Sequence, residues 1–179
     1  MWRSLAESHA LNAAFLAACL APAGAQGLLM FFDEFHFHHA RGLGRWERVG
    51  HPLDSLSLIA GLVPLLFPYS SVALFVFVAL ALFSCVFVTK DEWVHASECP
   101  PFEGWLHALL FVLHPLVFVG FGALWFASSI GWEGVTPTLF RFLLMGKICL
   151  VALFLCYQVG YWLVLGKGRY PRKNQENPQ

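Results

Sequence analysis

DEFHFHHARGLGRWERVGHPLD, residues 33–54, is the stretch on which the reading of this chain turns. It holds four of the eight histidines (His36, His38, His39, His51) and four of the eleven acids (Asp33, Glu34, Glu47, Asp54). On either side lie strongly apolar segments, HALNAAFLAACLAPAGAQGLLMFF (9–32) and PLDSLSLIAGLVPLLF (52–67). Ionisable groups set against membrane-length apolar runs are costly and mark functional positions. A second stretch, DEWVHASECPPFEGWLHALLFVLH (91–114), repeats the recipe. The parallel order of Asp33-Glu34-Phe35 with Asp91-Glu92-Trp93, and of His51-Pro52-Leu53 with His114-Pro115-Leu116, is what an internal duplication would leave. The expectation is that the two polar stretches fold together into one site.

Outward from that stretch, the composition sets the class. Of 179 residues, 58% are hydrophobic and 12% are charged. Soluble domains carry about 25% charged residues, so the chain reads as an all-α integral membrane protein. The apolar segments predict about five transmembrane helices, at roughly 20 residues per crossing: 9–32, 52–67, 72–89, 105–127 and 139–165. After APAGAQ the first apolar run resumes at once as GLLMFF, which favours an uncleaved span, kinked at Pro22, over a cleaved signal peptide. Pro52 is placed at the first turn of the second span, and His51, preceding a proline, at the boundary of that helix. Residues 1–166 form one transmembrane domain, and 167–179 a polar tail.

Net charge is zero and no basic patch stands out, which excludes nucleic acid as a partner. The partner is the lipid bilayer, with an apolar small-molecule substrate. With five spans, Arg41, Arg45, Arg48, Lys90, Lys167, Arg169, Arg172 and Lys173 fall on one side, and Arg3 on the other. Lysine and arginine accumulate on the cytoplasmic side. This predicts a multi-pass protein of the cell's inner (plasma) membrane, with the N-terminus outside. Both polar stretches and the C-terminus then lie inside, and four of the helices form a bundle with a His/Glu/Asp site at its cytoplasmic end.

The spacings nominate metal ligands, because residues at i, i+4 and i+7 share one helix face. Glu34 and His38 close the first span; Glu47, His51 and Asp54 open the second. Glu92, His95 and Glu98 follow the third, and Glu103, His107 and His114 open the fourth. Asp33 and Asp91 are assigned an outer role, orienting imidazoles. His114 also fits a core histidine bonded to a carbonyl freed by Pro115, and Asp54 also fits a helix N-terminus. Arg41, Arg45 and Arg48 are read as headgroup anchors or partners of acids. The fifth span has no acid or histidine; its Lys147, Gln158, Tyr157 and Tyr161 are expected to hydrogen-bond within the bundle, and it otherwise reads as scaffold. The five cysteines show no CxxC spacing, and only Cys99 lies in a polar stretch, so thiolates are not expected as the main donors.

Carboxylate and imidazole donors without thiolate suit iron, manganese or zinc. Helices supplying Glu and Glu-x-x-His ligands follow the logic of two-metal carboxylate bundles. The expected cofactor is therefore two metal ions, iron first. The expected activity is a di-iron oxidoreductase acting on a lipid-like or quinone-like substrate. A zinc-dependent membrane hydrolase is the alternative, followed by a non-enzymatic metal- or haem-binding membrane protein.

Overall fold

Hydropathy alone predicts five apolar rods, and five helices long and apolar enough to cross a membrane are what the computed structural model contains. It describes residues 2–92, 96 and 99–166, the side chains of 2–8 and 91 excepted. The helices are α1 (Trp2–Phe32), α2 (Arg45–Leu62), α3 (Ser71–Phe87), α4 (Pro101–Ser129) and α5 (Pro137–Gln158). No strand occurs among the described residues. The α1 rod does not stop at Phe32: it runs through a π-helical segment, Asp33–His38, and a closing α-turn, His39–Arg41. A second π-helical segment, Val159–Val164, extends α5.

The polar stretch 33–51, expected as a connection, is therefore almost entirely helix. Its acids, Asp33, Glu34 and Glu47, turn inward while Arg45 stays exposed, so low hydropathy there marked buried polar helix and not a loop. The actual reversal takes three residues, Gly42-Leu43-Gly44. Gly42 sits at φ 75°, which an L side chain rarely adopts, while Leu43 is fully buried. Helix α2 then starts at Arg45, where the Glu47 carboxylate reaches back to accept the Gly44 N–H at 3.1 Å. His51 and Pro52 consequently lie inside α2 and not at its boundary. One proline removes a single ladder bond, and a first turn anchored by Glu47 carries the helix past it.

Other helix starts follow ordinary capping. Ser70 Oγ accepts from Ala73 N and Thr136 Oγ1 from Leu139 N, each at 3.2 Å. Prolines at 101 and 137 open α4 and α5. Helix α1 packs along α4, while α2 packs against α3 and α5, and α4 also meets α3 and α5. The α1–α4 crossing is close because Gly120 has no side chain: a Cβ there would collide with the Cys19 carbonyl oxygen. Leu58, Leu62, Phe121, Leu124 and Leu144 fill the core between them. The ends of α1, α3 and α5 and the starts of α2 and α4 gather at one end of this bundle, and every candidate ligand among the described residues lies toward that end.

Candidate metal centre

In a regular α-helix, Asp33 and His38 would stand roughly 140° apart around the axis. The π segment changes that. Its i→i+5 bonding widens the turn and brings residues five apart onto one face, so Asp33, Glu34 and His38 all point inward and are buried. From α4, Glu103 and His107 meet them one turn apart, 0% and 4% exposed. The His107 Nε2 lies 3.0 Å from Asp33 Oδ2, and His38 Nε2 lies 3.1 Å from the same oxygen and 3.8 Å from Glu103 Oε1. Asp33, His38, Glu103 and His107 thus each offer one ligand atom within 4.8 Å of the others. A buried cluster of this kind can hold a metal ion.

His38 joins this set to a second, Glu34, His38 and His51, gathered under the same distance limit. Its Nδ1 lies 3.3 Å from Glu34 Oε2, and its ring stacks on His51 at 4.7 Å between centroids. The opposite nitrogen, Nε2, is buried and makes no well-directed hydrogen bond among the described residues. An imidazole held by a carboxylate through one nitrogen, with the other aimed among carboxylates, is the usual posture of a metal-ligating histidine.

Arg41 stitches the cluster together. Its Nη1 donates to Glu47 Oε2 at 2.9 Å and its Nη2 to Glu47 Oε1 at 2.5 Å. Toward Glu103, Nε donates at 3.1 Å and Nη2 at 2.8 Å. Of the two roles expected for Arg41, the structure shows the pairing with acids, inside the site. Yet one guanidinium faces four buried carboxylates, those of Asp33, Glu34, Glu47 and Glu103. Clustering of buried like charges is strongly disfavoured, so protons on the carboxylates or histidines, or a bound cation, balance the cluster. Cys99 donates its thiol to Glu103 Oε1 at 3.3 Å, and burial raises its pKa well above the ordinary thiol range. It is a neutral donor here and not a thiolate.

Helix α5 supplies the hydrogen bonding within the bundle expected of Tyr157. Tyr157 Oη and Trp162 Nε1 both donate to Glu34 Oε1, at 3.0 and 2.5 Å. Tyr157 and Trp162 are five residues apart, the same interval that the π segment of α1 uses for Asp33 and His38. Nothing in the sequence singles out that interval from α-helical spacing, so no signal marked these as partners of Glu34.

The structure thus brings together Glu34, His38, His51, Glu103 and His107, and adds Asp33, which spacing had placed in an outer role. Other nominated residues stand elsewhere. The Glu47 carboxylate is occupied by Arg41 and the Gly44 N–H. Asp54 pairs with Lys90 at 2.6 Å. Glu92 is exposed and belongs to neither converging set. His95 and Glu98, and the Asp91 side chain, lie outside the described residues. His114 takes the core-histidine alternative, with both ring nitrogens committed. Lys147 Nζ donates to Gln26 Oε1 at 3.2 Å, which turns the Gln26 amide nitrogen toward His114 Nδ1, also at 3.2 Å. The His114 Nε2–H then faces Ser84 Oγ at 2.9 Å, Ser84 reaches Ser57 at 2.8 Å, and Ser57 ends on the Asp54 carbonyl. Donors and acceptors alternate along this chain, which holds His114 away from the converging sets. The partner is Ser84 and not the carbonyl freed by Pro115.

Between the cluster and this deeper polar layer is a cavity of about 110 Å³. Asp33, Glu34, His51 and His107 border it on one side and Gln26 and His114 on the other, with apolar walls that include Met30, Leu58 and Phe111. That volume accommodates several water molecules or the reacting end of a larger molecule.

Comparisons of the chain with protein-family models, with curated proteins and with solved structures give no significant match.

Proposed function

We propose that this protein is a membrane-embedded metal enzyme, an oxidoreductase acting on a lipid-like or quinone-like substrate. One observation carries the proposal: four buried ligand atoms, from Asp33, His38, Glu103 and His107, converge within 4.8 Å beside a largely apolar-walled cavity. Two imidazoles and two carboxylates suit iron or manganese, with zinc fitting the same donors. The adjoining set shares His38 with the first, so a second ion would draw on Glu34 and His51, with His38 serving one ion only. A redox-active metal bound there supplies the electron-transfer and oxygen chemistry that side chains lack. The chain's own groups hold and orient. Glu34 fixes the His38 ring through Nδ1, Tyr157 and Trp162 fix Glu34, and Arg41 fixes Glu103. The apolar walls limit water at the reacting end of the substrate.

The membrane reading rests on five helices of sufficient length and hydropathy. Arg41, Arg45, Arg48 and Lys90 at the site end support a cytoplasmic orientation of the site, in the inner membrane.

The test is elemental analysis of protein purified in mild detergent without chelators. Expected are about two iron or manganese atoms per chain, following the two-ion bundle logic. Asp33→Ala and His107→Ala should each lower metal affinity by at least about tenfold, whereas Glu92→Ala should leave it unchanged. A metal-free wild-type protein would overturn the proposal. One zinc per chain would keep the centre and replace oxidation with hydrolysis.

A further inference from the structure

The seam between α3 and α4 carries a second void, a trough of about 410 Å³. Small or narrow side chains open it: Ala81 and Cys85 on α3, Pro115 and Gly122 on α4, with the rings of Phe77 and Phe118 along its lining. Gly122 matters most, since a Cβ there would lie 3.0 Å from the Phe77 ring. On α3 the trough follows residues 74, 77, 78, 81, 82 and 85, and on antiparallel α4 it follows 126, 125, 122, 119, 118 and 115. The next turn of each helix brings Val88 and Phe111, and both line the cavity beneath the metal cluster. Trough and cavity lie at successive levels of the α3–α4 seam; between them the Ser84–His114 hydrogen bond, 2.9 Å, crosses its buried side, leaving exposed Pro115 and half-buried Cys85 on the outer side. The first is apolar; the second ends among Asp33, Glu34, His51 and His107.

We infer that this seam binds a single-chain amphiphile, a long-chain fatty acid, alcohol or aldehyde, with its tail in the trough and its polar end in the cavity. The inference rests on the metal-centre reading for the chemistry at the polar end and on the trough alone for the tail. Two observations select this occupant. From Leu74 to Cys85 the trough runs about 16 Å at 1.5 Å per residue, about the half-thickness of a hydrocarbon core near 30 Å, which is the reach of one long acyl chain. The cavity at its head, about 110 Å³, has room for a carboxyl, hydroxyl or aldehyde group but not for a phospholipid headgroup. Bulk phospholipid would also keep its headgroup at the interface, whereas the trough leads from the cavity toward Tyr69 and Trp125 at the opposite end of the bundle.

The test is photo-crosslinking of the full-length, metal-loaded protein in detergent with a sixteen-carbon fatty acid bearing a mid-chain diazirine, followed by peptide mapping. Expected is labelling concentrated in 74–85 and 115–126. Palmitic acid should compete, and octanoic acid and phosphatidylcholine should not. Val119→Trp, at an exposed rim position of the trough, should lower labelling by about tenfold through displaced methylene contacts, with metal content unchanged. Leu82→Trp, on the facing rim, is the second variant and should do the same. Equal labelling of Phe142, Leu150 and Leu153 on the exposed face of α5 would overturn the site as ordinary lipid contact, as would equal competition by phosphatidylcholine. Trough labelling in a protein that never holds metal would confirm the amphiphile site while sinking the metal centre. Metal without selective labelling would do the reverse.

Discussion

Arg41 shows how one side chain sets the state of the site. Its guanidinium bonds two carboxylates that are both 0% exposed, Glu47 and Glu103. Removing one partner of a buried ion pair leaves charge stranded, at a cost of about 3–5 kcal/mol. Arg41→Leu should therefore lower the thermal midpoint steeply in detergent. The double variant Arg41→Leu/Glu47→Gln should recover part of the loss, because one stranded charge is gone. No recovery would mean that Glu103 alone depends on Arg41. At this scale the residue types were legible: Glu34, His38, His51, Glu103 and His107 were nominated from spacing, and the structure places them together. Arg41 was not assigned to the cluster. An arginine beside a membrane-length apolar run has the same sequence signature whether it faces headgroups or turns inward, and only the partners separate the two.

At the scale of elements, the two π segments meet at Glu34, whose carboxylate accepts the Trp162 N–H. The first turns three ionisable residues of one helix inward. The second aligns Tyr157 and Trp162 on a single carboxylate oxygen of Glu34. If that pair orients Glu34, and Glu34 in turn orients His38, then Tyr157→Phe/Trp162→Phe should weaken metal binding by about 10–100-fold without unfolding the bundle. Metal titration of the stripped protein measures this. Unchanged affinity in a folded variant would reduce both residues to packing. Helix existence was legible from hydropathy, and helix ends were not. Spans drawn from apolar runs stopped at Phe32 and began at Pro52, because inward-turned charges look like connections to any measure that averages over composition. The i→i+5 turn was equally hidden, since nothing in DEFHFH distinguishes it from an α-turn until α4 and α5 supply partners.

For the whole molecule, the orientation proposed from charge predicts that reporters fused after Gly166 report the cytoplasm and reporters in the 130–136 turn report the opposite side. The reverse pattern would place the candidate metal centre outside. Sequence by itself determined the helical plan: five apolar segments need no neighbours to be recognised, because hydropathy is a sum over local residues, and five long apolar helices are what the chain forms. It also determined the chemistry of the donors, since carboxylate and imidazole are properties of single side chains. Only the tertiary structure decided which donors converge. Asp33 entered the cluster through a π turn, and Glu47 left it for Arg41 and a helix N-terminus. His114 left it for Gln26 and Ser84. The physical reason is common to all three. Burial requires each polar atom to find a partner, and for these residues the partner comes from another helix or from a local turn that spacing does not encode.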